Sequence, residues 1–243
     1  MLLGFPMRTL QAIAVGLGVL IWFAAPAMAV DAIPYPNPGT YNSQAYTFTA
    51  TTTADLVVYF AGAASYYDNQ LGVLVNGAPQ GGYGLDDHTS SVGDSYDYGQ
   101  VTAGDVVTFV LHITEPNTPY SQRPGQTIDL WSDPSLNALY GYDGPGSTQH
   151  NHVYLTDYTG GIGDPNSALY QDTGYYLGFE DLAFGDFSSI RSDYDYNDEN
   201  FVITQQALNV TPLPEPSSWA LLLIGFLGVG TALRMKRSGA LAV

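Results

Sequence analysis

The run Asp193-Tyr194-Asp195-Tyr196-Asn197-Asp198 sets an oxygen donor at every second position and adds one more at its end. That spacing suits a hard cation. Calcium takes six to eight oxygen ligands at about 2.3 to 2.6 Å, and a turn rich in Asp, Asn and backbone carbonyls can offer them. The run lies within Gly178–Ile203, which holds seven carboxylates in 26 residues and closes on the apolar, strand-like Phe201-Val202-Ile203. Glu180 and Asp181 stand near its start, and Gly185-Asp186 allows the chain to fold back. The expected ligand set for Ca2+ is therefore Glu180, Asp181, Asp193, Asp195, Asn197 and Asp198. Crowded carboxylates cannot all stay ionised without a cation between them. An EF-hand is excluded: Asp198 falls where that loop needs Gly, Thr204 falls where it needs Glu, and the flanks carry no helical pattern.

Other chemistry is weakly signalled. The chain contains no GxSxG, no HExxH and no phosphate-binding Gly loop. A non-catalytic domain is expected; the alternative is a secreted carbohydrate-active enzyme working through paired carboxylates as acid and base. His150-Asn151-His152 reads as polar loop-to-strand sequence rather than a transition-metal site, and Asp86, Asp87, Asp94 and Asp97 read as solvated loop charge. Tyrosines such as Tyr66-Tyr67 and Tyr175-Tyr176 offer faces for stacking on sugar rings, with core packing as their commoner use.

The elements that must position these residues are β-strands. Tyr46, Phe48 and Ala50 alternate, as do Leu56, Val58 and Phe60, and Leu71, Val73 and Val75 run into Asn76-Gly77, a two-residue hairpin signal. Asp105–Ile113 is apolar on both faces and reads as a central strand; Thr127–Trp131, Val153–Tyr158, Tyr175–Phe179 and Phe201–Gln205 follow. Residues 81 to 99 lack any period and are expected to form a long surface loop. No window of eleven or more residues repeats at helical period between these strands. The expected class is all-β: an antiparallel β-sandwich, jelly-roll-like, spanning about residues 30–210.

Charge and the two chain ends say where such a domain works. Asp31 to Glu215 hold all 23 acidic residues but only two of the six basic ones, Arg123 and Arg191, a net of −21. This opposes binding to nucleic acid or anionic membranes, and it favours counter-cations. There is no cysteine, so no disulfide staples the fold. Arg8, the apolar Leu10–Phe23 and Ala27-Met28-Ala29 predict a secretory signal peptide over 1–29. At the other end, Pro214-Glu215-Pro216 precedes the uncharged Trp219–Leu233, which Arg234, Lys236 and Arg237 follow. Fifteen helical residues reach roughly 22 Å, short of a hydrocarbon core of about 30 Å, so a single short transmembrane helix is expected, with its basic end cytoplasmic.

The tail, residues 211–238, resembles the Pro-Glu-Pro C-terminal sorting domain (PEP-CTERM) of Gram-negative bacteria in all three parts and in their order. The resemblance implies recognition at the inner membrane by an exosortase, removal of the tail near the Pro-Glu-Pro motif, and release to the cell surface or extracellular matrix, in bacteria that build exopolysaccharide and biofilm. A second stretch, Phe179-Glu180-Asp181-Leu182 with Asp195-Tyr196-Asn197-Asp198 and the closing Phe201-Val202-Ile203, resembles the C-terminal signature of domain of unknown function 4114 of bacterial surface proteins. Its spacer, Ala183–Ser192, is longer than that pattern implies. Together these give the expectation of an exported, calcium-stabilised β domain serving adhesion or association with exopolysaccharide or surface glycans.

Overall fold

The computed structural model describes residues 39–185, 189–204 and 208–212. The signal peptide expected over 1–29 and the sorting residues Pro214, Glu215, Pro216, Arg234, Lys236 and Arg237, with the helix expected between them, lie outside the described residues. The rest is built of antiparallel strands: β1 (Tyr46–Ala50), β2 (Ala54–Ala63), β3 (Asp68–Val75), β4 (Ala78–Asp86), β5 (Ser95–Val101), β6 (Val106–Thr114), β7 (Thr127–Trp131), β8 (Val153–Tyr158), β9 (Gly174–Phe179), β10 (Glu199–Thr204) and β11 (Leu208–Pro212). One sheet runs β11-β1-β6-β3-β4, with β7 also pairing to β6; the other runs β5-β2-β10-β9-β8.

Alternation puts Phe48, Leu71, Val73, Phe109, Leu111 and Leu130 of the first sheet and Leu56, Val58, Phe60, Leu177, Phe179, Phe201 and Ile203 of the second into one buried cluster. The sheets therefore face each other across a shared core, as in a sandwich. β6 is central, bonded to β1, β3 and β7, in keeping with its two apolar faces. Asn76 (φ 51°) and Gly77 (φ 80°) make the tight turn between β3 and β4, the backbone form that matches strand twist in a two-residue hairpin.

One expectation needs correction, and two further features were not legible in the sequence. Residues 81–99 are not one long loop, because most of them belong to β4 and β5. β4 is mostly exposed and bulges at Gly81 and Gly82 (φ 73° and 77°) between the pairs Leu71–Leu85 and Val73–Gln80, so its side chains show no alternation. Two short helices stand in the second half, α1 (Pro134–Tyr140) and α2 (Ala168–Gln171), both below the length at which periodicity is visible. α1 is set by local signals: Asp133 caps its N-terminus through Ser135 N–H, Pro134 opens it, and Gly141 (φ 65°) ends it. Thr211 and Pro212 of β11 pair with Thr47 and Tyr46 of β1, so the sheet runs two residues past 210, into the stretch that resembles the sorting tail.

Candidate metal centre and aromatic cleft

β9 and β10 are hydrogen-bonded neighbours, with Phe179 directly opposite Glu199. The acidic stretch is the connection between these two paired ends, which is why its carboxylates are held over one end of the sandwich. Within it Tyr194 (φ 57°) and Tyr196 (φ 53°) take the left-handed backbone form, which costs an L-residue about 1 to 2 kcal/mol each. The tyrosine rings hold this turn in place. Tyr196 is buried, and its hydroxyl accepts the N–H of Asn42 at 2.8 Å; Tyr194 packs on Phe184 and Tyr41. One ligand oxygen from each of Glu180, Asp193 and Asp195 consequently lies within 4.8 Å of the others. Two donors on one calcium ion stand at most about 5 Å apart, given bonds of roughly 2.3 to 2.6 Å.

Glu180 is the informative member. It is 1 % exposed, and its Oε1 has no hydrogen-bond partner; Oε2 accepts the N–H of Tyr196, at 3.4 Å. Burial, followed by the charges of Asp181 and Asp193, pushes its carboxyl up to about 8 despite a hydrogen bond from Ser192. Asp195 is also raised, chiefly by burial and further by Asp193, against the N–H of Asn197. An unpartnered buried carboxylate costs several kcal/mol unless a proton or a cation accompanies it.

The other three expected ligands are placed differently. Asp181 Oδ2 accepts from Ser65 Oγ at 2.5 Å and Asn69 Nδ2 at 2.9 Å, and its N–H donates to Asp198 Oδ2 at 2.8 Å. Asp198 thus neighbours Asp181, whose carboxylate reaches Asn69 of β3. Burial raises both, and the Asp181 charge adds to the rise at Asp198. Asn197 supplies donors, because its Nδ2 and N–H both go to the Asp195 carboxylate while its carbonyl accepts from Ala64 N and Asn200 Nδ2. It buttresses Asp195. His150 and His152 form no metal pair: His150 Nδ1 and His152 Nε2 each hydrogen-bond the buried Asp143 carboxylate at 2.8 Å.

A second feature escaped the sequence. On the face of the first sheet turned away from the core, Gly72, Val110 and Trp131 stand side by side across β3, β6 and β7. They floor a cleft of about 540 Å³ that Tyr83 and Gln80 of β4 bound on one side and Leu136 and Tyr140 of α1 on the other. Asn137 docks the helix by accepting from Trp131 N–H (2.9 Å) and donating to Trp131 O (2.7 Å). This seats Tyr140 against Trp131, ring centroids 4.7 Å apart. Tyr83 lies over Gly72, where a β-carbon would meet its ring at 2.7 Å, and stacks on His112 at 4.4 Å. His112 in turn bonds Asp129, a lining residue, at 2.7 Å. Tyr83 and Tyr140 remain about half exposed.

No family model, curated protein or solved structure matches the chain. What its sites can do therefore rests on their own geometry.

Proposed function

We propose that the chain is an exported, non-catalytic, jelly-roll-like β domain that binds neutral polysaccharide in its aromatic cleft and is stabilised by calcium at Glu180, Asp193 and Asp195. The cleft is the observation that carries the binding function. A pyranose offers C–H groups on its faces and hydroxyls on its rim; Tyr140 and Tyr83 supply flat apolar rings for the first, while Asp129 and Gln80 supply polar partners for the second. The volume falls within the ~300 to 1,000 Å³ of ordinary ligand sites. A net charge of −21 over Asp31–Glu215 favours a neutral polymer over an anionic one. Two-carboxylate hydrolysis needs a second acid, and among the described lining residues Asp129 is the one carboxylate.

The Pro-Glu-Pro tail supports delivery to the cell surface or matrix through an exosortase, after transient residence in the inner membrane; the chain's repeated crossing between sheets supports the jelly-roll-like description. Affinity electrophoresis of the purified protein in gels containing neutral exopolysaccharide is the direct test. Retardation that falls at least fivefold in Tyr140→Ala, with melting unchanged, is expected. Equal mobility with and without polymer refutes the binding reading, and new reducing ends in the polymer move the protein to the hydrolase class.

A further inference from the structure

The cleft floored by Trp131 has few polar side chains, and their hydrogens are unevenly placed. Gln80 donates its amide nitrogen to the carbonyls of Tyr98 (3.0 Å) and Gln100 (3.2 Å); both of its hydrogens are spent, and Oε1 is what it can still offer. Asp129 Oδ1 is bonded to His112 Nδ1 at 2.7 Å, and a carboxylate has no hydrogen of its own, so its remaining lone pairs can only accept. Against these two fixed acceptors the lining side chains set one fixed donor, the indole N–H of Trp131; the Tyr83 and Tyr140 hydroxyls serve either way. A hydrogen bond to a charged acceptor is roughly twice as strong as one between neutral groups, so Asp129 dominates the set.

Strand register sets where that acceptor stands. Gln70, His112 and Asp129 lie side by side across β3, β6 and β7, in the row next to Gly72, Val110 and Trp131. Residues two apart on a strand share a face, and a rise of about 3.3 to 3.4 Å per residue separates the rows by roughly 7 Å. A sugar laid over the Trp131 row against Tyr140 or Tyr83 therefore turns its edge, where hydroxyls project, towards Asp129. The carboxylate is reachable, its side chain being 33 % exposed. It is also held: His112, which bonds it, has its ring stacked on Tyr83 at 4.4 Å. Gln70, on the other side of His112, gives its amide nitrogen to Asp86 at 2.9 Å and does not compete for Asp129.

We propose, on the basis of the saccharide reading above, that Asp129 selects the ligand by accepting two neighbouring hydroxyls of one sugar, with His112 as the residue that positions it. The polysaccharide is then one whose sugars keep those hydroxyls bare. O-acyl or O-methyl groups there remove the donors and leave the acceptors unpaired, the situation in which a polar site discriminates most strongly. A uronate brings its own charge against the carboxylate and is repelled.

Affinity electrophoresis of the purified full chain tests this with the native neutral exopolysaccharide and with the same polymer after O-methylation, which keeps ring faces and neutrality but removes hydroxyl hydrogens. Binding at least tenfold weaker to the methylated polymer is expected for the wild type. The same loss on the native polymer is expected for Asp129→Asn and His112→Leu, with melting temperatures unchanged. His112→Asn, which keeps a donor for Asp129, should bind at least threefold more tightly than His112→Leu; both lose the stack on Tyr83, so the difference between them reports the bond to Asp129. The methylated arm needs no variant and stands if a variant misfolds. Equal retardation of the wild type by the two polymers overturns the proposal, as does wild-type affinity in Asp129→Asn. So does a preference for an amine-bearing polymer that salt abolishes, which would make Asp129 an ion-pair partner. Retardation by neither form refutes the saccharide reading and this proposal with it, whereas loss in Asp129→Asn with full binding by Tyr140→Ala refutes the stacking and upholds the selection by Asp129.

Discussion

The backbone carbonyl of Tyr196 occupies the place that a side chain at position 178 would take: a β-carbon on Gly178 would lie 2.3 Å from that oxygen and 3.0 Å from Asn200 Oδ1. The acidic turn rests directly on β9, and Glu180 leaves β9 two residues later to meet Asp193 and Asp195. Because the obstructing atom belongs to the backbone, it cannot swing aside. Gly178→Ala must lift the turn, and overpacking of this kind costs about 1 to 3 kcal/mol. Isothermal titration with Ca2+ is expected to show affinity lowered at least tenfold while the far-UV circular dichroism stays that of a β protein. Wild-type affinity would mean that the turn does not need β9 as its seat.

The pH dependence follows from Glu180. Unfolded, its carboxyl loses its proton near the ordinary 4.5; folded, it holds the proton up to about 8, because of burial and then the Asp181 and Asp193 charges. Between those values the folded chain binds more protons than the unfolded one, so stability falls as pH rises through the window. Asp87, pushed up to about 6 by burial, acts in the same direction over a narrower range. In chelator, melting temperature should decline steadily from pH 5 to pH 8. Saturating Ca2+ should flatten that slope, since the cation replaces the protons, and Glu180→Gln should lessen both the slope and the calcium effect. Melts that rise with pH in chelator would contradict this.

Much of the fold is legible in the sequence wherever one face of a strand meets the core and the other does not. Tyr46–Ala50 shows this, and Asn76-Gly77 fixes the register that follows. β4 is illegible for the opposite reason: an edge strand broken by Gly81-Gly82 exposes both of its faces. At the candidate metal centre, composition and spacing point to six residues, of which Glu180, Asp193 and Asp195 bring ligand oxygens together. Composition and spacing do not reveal that Asn197 turns its amide to Asp195, which depends on the local form of the turn, or that Ser65 and Asn69 draw Asp181 towards β3, which depends on contacts across more than a hundred residues. The cleft is hidden in the same way. Adjacent tyrosines looked suited to sugar, yet successive strand residues point to opposite faces, and Tyr67 and Tyr176 are buried. The rings that share a face are Tyr83, Trp131 and Tyr140, joined by pairing across β3, β6 and β7 and by the docking of α1.

Asp143 is the place where a single substitution should loosen the support of the acidic turn without touching a ligand. Its carboxylate is wholly buried and accepts from His150 Nδ1, His152 Nε2 and the N–H of Phe184, at 2.8, 2.8 and 2.9 Å. Burial works to raise it, yet the hydrogen bonds from His152, Phe184 and His150, with the His152 charge, hold it below the ordinary carboxylate range. The three bonds tie the segment after α1 to the start of β8 and to Phe184, whose ring stacks on His152 at 4.1 Å and packs on Tyr194. Asp143→Ala strands three donors, two of them in the buried His152 ring and the Phe184 amide, each costing about 1 to 3 kcal/mol when unsatisfied. A net loss of about 3 kcal/mol corresponds to a fall of roughly 6 to 12 °C in Tm for a domain of this size. His150 is partly exposed, so water can take over its bond, and His150→Ala should cost less than a third as much. Thermal melts of the two variants check the ordering; equal losses would mean that Asp143 acts mainly through the outer histidine, not through the buried one that carries Phe184 and Tyr194.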